Sequence, residues 1–279
     1  MLGSLMDKKL TLEISGLTDA GVVREHNEDS IGSAADIGLA ILADGMGGHN
    51  AGEVASAMAV DGIIDALRHS IPETDTSIVD EETGYTHGTL LVHEAIQTAN
   101  HEIFQAAHDL PQCQGMGTTL VAALFYSDRV TIAHVGDSRL YRYRLGVLEQ
   151  LTNDHTLLQE LVDRGFYSQE EAEASLNRNV ITRALGTEPE IQVDLQEEIV
   201  LPGDLYLLCS DGLNDMISDE QILSTLSKFG GNLDKIGEDL IRQANEAGGR
   251  DNVSVILIRP KLSRTPVSGW LNRIISWFD

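Results

Sequence analysis

Apolar and polar positions along the chain change period several times, and each change marks an element. Positions 11–17 and 37–43 are short apolar-rich runs that predict strands, the second ending in the polar, Gly-rich loop DGMGGHN. Val54, Met58, Ile63 and Leu67 then recur at helical spacing and predict a helix over 52–69, with Asn50 as N-cap and Glu53 three residues on. The acidic, weakly periodic stretch 75–87 predicts a loop. Leu91, Ala95, Ile96, Ala99 and Ile103 predict a second helix over 90–107.

A run of short strands follows at 118–126, 129–135, 140–144 and 147–151, separated by Ser127-Asp128, Gly136-Asp137 and Leu145-Gly146. Connections this short join antiparallel neighbours and cannot contain a parallel crossover. Positions 154–174 predict a charged peripheral helix. Ile191, Val193 and Leu195 alternate with Gln192, Asp194 and Gln196, which predicts a strand over 191–199. A wholly apolar strand at 205–209, helices at 219–228 and 232–245, and a buried strand at 253–258 complete the reading. Grouped antiparallel strands with helical pairs predict an α+β fold whose sheets are covered by helices. The sequence contains no internal repeat and no low-complexity segment.

Composition narrows the function classes. The chain has 279 residues, 19 Lys plus Arg against 44 Asp plus Glu, and a formal net charge of −25. That balance argues against a nucleic-acid partner, because phosphate backbones are bound through clustered Lys and Arg. The longest apolar run, 120–126, is far short of the ~20 residues that cross a bilayer, and the first fifteen residues do not read as a signal peptide. Cys113 and Cys209 cannot form a disulfide framework and point to a reducing compartment, so a cytoplasmic protein is expected.

The candidate chemistry lies in aspartates at strand ends. Asp44 follows LAILA, Asp137 closes TIAHVGD, Asp211 follows LYLLCS, and Asp251 immediately precedes NVSVILI. Each Asp-Gly pair alone is most simply a turn. Two such pairs, each directly after an apolar strand, suggest instead that four carboxylates converge at one sheet edge. Converging carboxylates repel in a dry site, and hard divalent cations relieve that repulsion; oxygen-only ligation favours Mg²⁺, Mn²⁺ or Ca²⁺ over Zn²⁺. Gly45 lets its carbonyl approach an ion closely. The sequence lacks GxxxxGK[ST], GxSxG, HExxH and EF-hand patterns. The nine histidines show no ligand-like spacing, His134 reads as core or turn-adjacent, and Cys209 as a buried thiol.

Eight segments, in order, resemble the metal-dependent protein serine/threonine phosphatases of type 2C, specifically their bacterial branch. They are GVVREHNEDS at 21–30, LADGMGGHNAGEVAS at 42–56, GMGTTLVAAL at 115–124, HVGDSRLYR at 134–142, LTNDHTLLQELVDRG at 151–165, NVITRALG at 179–186, LLCSDGLNDMIS at 207–218 and GGRDNVSVILI at 248–258. The similarity spans about 14–258. It implies a β-sandwich of two antiparallel sheets with helical pairs on both outer faces, a phosphatase domain over 10–260, a flap over about 152–186 and a tail over 261–279.

The resemblance also implies roles. Asp44 would bridge two ions, with the Gly45 carbonyl on the second; Asp211 and Asp251 would complete the first ion's shell. Glu28 and Asp29 would hold the second ion and its waters, Asp29 helping to orient them. Asp137, with Asp211, would supply a third, weaker site, and Arg24 would hold the substrate phosphate through its guanidinium fork. The implied reaction is hydrolysis of phosphoserine and phosphothreonine in proteins by a water activated between two Mn²⁺ or Mg²⁺ ions, countering a Ser/Thr kinase in signalling. Met46 stands where animal members carry a His thought to act as general acid; His49 is the nearest titratable residue in sequence. Asn179 stands where some bacterial relatives place a metal-contacting Ser. Beyond the match, Val267, Trp270, Leu271, Ile274, Ile275 and Phe278 share one helical face. A helix folding back on the domain is the simpler expectation, and weak docking to a membrane or partner the sharper one. A monomer is expected.

Overall fold

The computed structural model describes residues 8–48, 51–168, 171 and 180–264. Asn50, expected as an N-cap, lies outside the described residues, as do His49, Asn179 and the positions 266–279 expected to share a helical face.

Eleven strands, six α-helices and two short 3-10 helices lie among the described residues. Strand β1 (Lys8–Asp19) precedes β2 (Asp29–Ala34) and β3 (Leu39–Met46), and α1 (Ala51–Ser70) and α2 (His87–Asp109) follow. The central strands are β4 (Gly117–Thr118), β5 (Leu120–Tyr126), β6 (Arg129–Val135), β7 (Arg139–Arg144) and β8 (Val147–Gln150). Then come α3 (Leu157–Asp163), β9 (Asp194–Ile199), β10 (Leu205–Cys209), α4 (Asp211–Asn214), α5 (Asp219–Lys228), α6 (Leu233–Glu246) and β11 (Val253–Arg264). One sheet runs β1-β11-β10-β7-β8 and the other β2-β3-β5-β6-β9, with β4 paired to β3. Every named pairing is antiparallel.

The alternation of side chains across each strand builds three apolar layers. Leu39, Ile41 and Ala43 of β3, with Leu120, Ala122 and Leu124 of β5, pack under α1 and α2. Ala40 and Leu42, with Val121, Ala123 and Phe125, face the other way, against Tyr206, Leu208, Ile256 and Ile258 of the opposite sheet. Leu205, Leu207 and Cys209 of β10 face Ile222 and Leu226 of α5 and Ile236 and Leu240 of α6. Between the sheets, the Phe125 and Tyr206 rings meet edge-on, centroids 5.2 Å apart. Strands buried on both faces carry no polar alternation, which is why 205–209 reads as continuously apolar. The fold is therefore α+β, two antiparallel sheets with helical pairs on both outer faces.

Several element bounds differ from the sequence reading. Strand β2 was not expected, because DSIGSA offers little apolar signal; pairing with β3 extends it. The predicted strand 118–126 is broken at Thr119, whose N–H donates to the Asp44 carbonyl (2.8 Å) while its hydroxyl accepts from the Asp44 N–H (3.0 Å). The helix expected over 154–174 is described as helical over Leu157–Asp163, capped by Thr156. The last strand continues past Ile258 to Arg264 because β1 pairs with it along its whole length.

One buried ion pair anchors the end of the sandwich away from the aspartate loops. Asp204, 1% exposed, accepts from Arg144 Nε and Nη2 (both 2.7 Å), from the Leu201 N–H (2.7 Å) and from the Tyr206 hydroxyl (3.3 Å). Asp204→Ala leaves the guanidinium with the Ile199 carbonyl but without its carboxylate, and is expected to cost about 3 kcal/mol. A lower urea midpoint at unchanged slope is the readout; a shift below ~0.5 kcal/mol would contradict this account.

Candidate active site

Antiparallel pairing brings five carboxylates to one end of the sandwich. Asp29 and Asp44 are direct partners across β2 and β3. Cys209, two residues before Asp211, pairs with Val255, four after Asp251, so the end of β10 and the start of β11 are neighbours. Cys209 also pairs with Arg139, which follows Asp137 by two, and Val135 pairs with Leu120 at the head of β5. The Gly136-Asp137 connection does not join antiparallel neighbours as its length suggests: β6 pairs with β5 and β9 and β7 with β10 and β8, so this short loop crosses from one sheet to the other and carries Asp137 at the crossing.

The carboxylates feel one another. Burial pushes the Asp44 carboxyl well above its ordinary range, and Asp29, Asp211, Asp137 and Asp251 push it further. Asp211 moves the same way, through burial and then Asp137, Asp215, Asp251 and Asp29. Asp29 is pushed up to about 6 by burial, although the Ser254 (2.6 Å) and Ser210 (2.8 Å) hydroxyls both donate to its Oδ2. Asp137 is likewise raised to about 6, by burial first and the Asp154 charge second. Glu28 is raised by burial, with Arg24 opposing. Electrostatic crowding of this kind marks functional sites more often than structural ones.

Three features fit this donor set to hard cations. The Oδ1 atoms of Asp29 and Asp137 are buried and accept no hydrogen bond among the described residues, so each has a lone pair free for an ion. All the donors are oxygens. At Gly45, a Cβ would stand 2.1 Å from the Gly52 carbonyl oxygen and 2.6 Å from that of Glu28. The Gly45 N–H donates to that Glu28 carbonyl (3.1 Å), so only glycine permits β2, β3 and α1 to approach here.

Arg24 lies at the rim. Its Nη2 donates to Asp251 Oδ2 at 2.7 Å, with side chains 53% and 37% exposed. Asp251, Glu28 and Asp211 all hold its charge in place. The sequence reading missed the residues that hold these groups. Asn252 accepts from the Glu28 N–H (2.8 Å) and donates to the carbonyls of Ala20 (3.0 Å) and His26 (2.9 Å). Ser210 and Ser254 clasp Asp29, and Thr119 holds the Asp44 backbone. Ser210 and Asn252 directly adjoin Asp211 and Asp251 in sequence, which was the available signal. Sequence spacing also hid that His134, His155 and Asp194 come together beside the Asp137 turn.

Residues 22–257 match the family model for protein phosphatase 2C. The chain belongs to that family. It is 42% identical over 253 residues to the serine/threonine protein phosphatase PstP of Mycobacterium tuberculosis, covering 89% of this chain and 45% of that protein. The chain thus spans about half the length of that relative. It is 40% identical over 250 residues to the serine/threonine phosphatase stp of Listeria monocytogenes, covering 88% of this chain and 95% of that one. The crystal structure of the M. tuberculosis phosphatase superposes with a TM-score of 0.77 at 39% identity, covering 89% of this chain and 98% of that one. A PstP catalytic domain in complex with two manganese ions gives 0.74 at 39% identity, covering 90% and 99%.

Proposed function

We propose that this chain is a metal-dependent protein phosphatase that hydrolyses phosphoserine and phosphothreonine side chains, countering a Ser/Thr kinase in the cytoplasm as a monomer. The observation that carries the reading is the convergence of Asp29, Asp44, Asp137, Asp211 and Asp251 with two buried, unpartnered carboxylate oxygens. Asp44, Asp211 and Asp251, with the Gly45 carbonyl, Glu28 and Asp29, would hold two Mn²⁺ or Mg²⁺ ions, and Asp137 with Asp211 a weaker third. Such ions supply positive charge for the phosphoryl oxygens and make a water acidic enough to attack near neutral pH. The manganese-bound PstP domain supports this choice of metal.

The chain's own groups orient the reaction. Arg24 presents a guanidinium fork to the phosphate, a geometry that matches two phosphoryl oxygens. Asp29, fixed through Oδ2 by Ser210 and Ser254, keeps an Oδ1 that accepts no hydrogen bond among the described residues and would align water. With a net charge of −25, the surface offers no general attraction for phosphate, so bound cations must draw it in. Buried, unbridged Cys113 and Cys209 support the reducing compartment. Among the described residues, no helix is long and apolar enough to cross a membrane. The segment about 152–186 is the flap in this reading, and residues 266–279 remain a candidate for weak docking.

Phosphatase assays on a phosphothreonine peptide test the proposal. EDTA is expected to lower turnover at least ~10²-fold and Mn²⁺ to restore it. The peptide should exceed a sugar phosphate in kcat/KM by at least ~10-fold. A preference for the sugar phosphate would sink the protein-phosphatase assignment, and activity untouched by EDTA would sink the metal assignment.

A further inference from the structure

His155 holds the Gly136–Asp137 turn from both sides. Its backbone N–H donates to the Gly136 carbonyl (3.0 Å), and its Nδ1 accepts from the Gly136 N–H (3.1 Å). Both backbone polar groups of Gly136 are therefore committed to one residue. Gly136 itself has φ +101° and packs so closely on Thr119 that a Cβ would stand 2.7 Å from its side chain. Thr119 in turn holds the Asp44 backbone and shares a 2.7 Å hydrogen bond with Ser138. The turn cannot shift without disturbing these contacts.

The same residue grips both ends of the segment beginning at Asp154. The His155 carbonyl accepts from the Thr182 N–H (2.8 Å), Thr156 bridges Ile181, and the Leu157 N–H donates to the Val180 carbonyl (2.9 Å). Arg139 clamps Asp154 with Nε (3.1 and 3.0 Å) and Nη2 (2.7 Å). The base of the segment and the Asp137 turn are thus one hydrogen-bonded unit, with His155 at the joint.

The ring's tautomer follows from its partners. With Nδ1 accepting an N–H, the proton of a neutral ring sits on Nε2, which faces Asp194 Oδ2 at 3.3 Å. Arg183 Nη1 donates to Asp194 Oδ1 (2.9 Å) and lies 3.2 Å from Nε2. Burial, then His134 and Arg183, push the His155 pKa down to about 4, so the ring stays neutral. His134 stacks on it, centroids 4.7 Å apart, and uses its own Nε2 on the Asn153 carbonyl (2.9 Å). His134, His155 and Asp194 do not suit a cation of their own. Coordination through Nε2 of His155 would move its proton to Nδ1, against the Gly136 N–H, beside the Arg183 guanidinium.

We propose that His155 is a positioning residue that fixes the Asp137 carboxylate to the base of the 154–183 segment, so that the weak cation site and that segment are set together. This rests on the reading of Asp137 as a ligand of that site. Asn and Gln separate the role from bulk: an Asn carbonyl can replace the Nδ1 acceptor, whereas a Gln carbonyl reaches toward Nε2. Mn²⁺ binding by titration calorimetry without substrate, and amide exchange at Gly136, are measured on the full chain carrying His155→Gln, His155→Asn or Asp137→Asn. His155→Gln is expected to weaken the low-affinity site about 10-fold or more, to leave the tight pair within about 3-fold, and to speed Gly136 exchange about 10-fold. His155→Asn should recover most of each loss. A low-affinity site unchanged in His155→Gln but lost in Asp137→Asn would overturn the proposal alone. Equal damage by Asn and Gln, or loss of the tight pair in His155→Gln, would also overturn it by making His155 a general scaffold residue. A low-affinity site intact in Asp137→Asn would overturn the reading of Asp137 and the proposal with it.

Discussion

Asp211→Asn and Asp251→Asn are each expected to lower turnover on a phosphothreonine peptide by at least ~10²-fold, with the protein still folded. An amide is uncharged and a poorer ligand for a hard cation than a carboxylate, so each change weakens the ion that must activate water. The two variants should differ in a second respect. Asp211 stands among Asp137, Asp215, Asp251 and Asp29, so its neutralisation mainly relieves repulsion. Asp251 also holds Arg24 at 2.7 Å, so Asp251→Asn frees the guanidinium and should raise KM as well. Turnover at limiting Mn²⁺, with thermal melts as the folding control, checks both. Near wild-type turnover in either variant would mean that the cation assignment is wrong.

Legibility in the sequence followed burial. Strands covered on both faces, such as 205–209 and 120–126, announced themselves because every position was apolar. Strand β2 did not, because its stability comes from pairing with β3 and not from its own side chains. The aspartates were visible as strand-end residues, yet their convergence depends on the long-range register of β10 with β11 and of β10 with β7. That register is a tertiary property. The supporting hydroxyls and amide, Ser210, Ser254, Thr119 and Asn252, sit inside the matched segments, yet the residues alone do not say which groups they hold, because those partners come from distant stretches of chain. His155 is hidden for the same reason. Its partners Gly136, Thr182 and Asp194 lie on three separate stretches of chain.

Asp44→Asn is expected to abolish activity while raising the melting temperature of the metal-free protein at pH 7.5. Asp44 and Asp211 titrate well above the ordinary carboxylate range, and Asp29 and Asp137 at about 6. A carboxyl whose folded-state pKa is raised binds protons more readily folded than unfolded. Its ionisation therefore costs stability at neutral pH, and that cost is relieved as pH falls through about 6. Replacing Asp44 by an amide of the same shape removes the carboxyl whose ionisation burial and the Asp29, Asp211, Asp137 and Asp251 charges most disfavour. A gain on the order of 1 kcal/mol corresponds to about 3 °C for a domain of this size. The gain should shrink between pH 7 and pH 5, as Asp29 and Asp137 take up protons in the wild type. Saturating Mn²⁺ should reverse the order, because bound cations stabilise the wild type more than the variant. Calorimetric scans with EDTA and with Mn²⁺ at both pH values provide the measurement. If the metal-free variant melts below the wild type at pH 7.5, the carboxylates are held by hydrogen bonds rather than set against one another. The account of this end of the sandwich as a strained cation cradle would then fail.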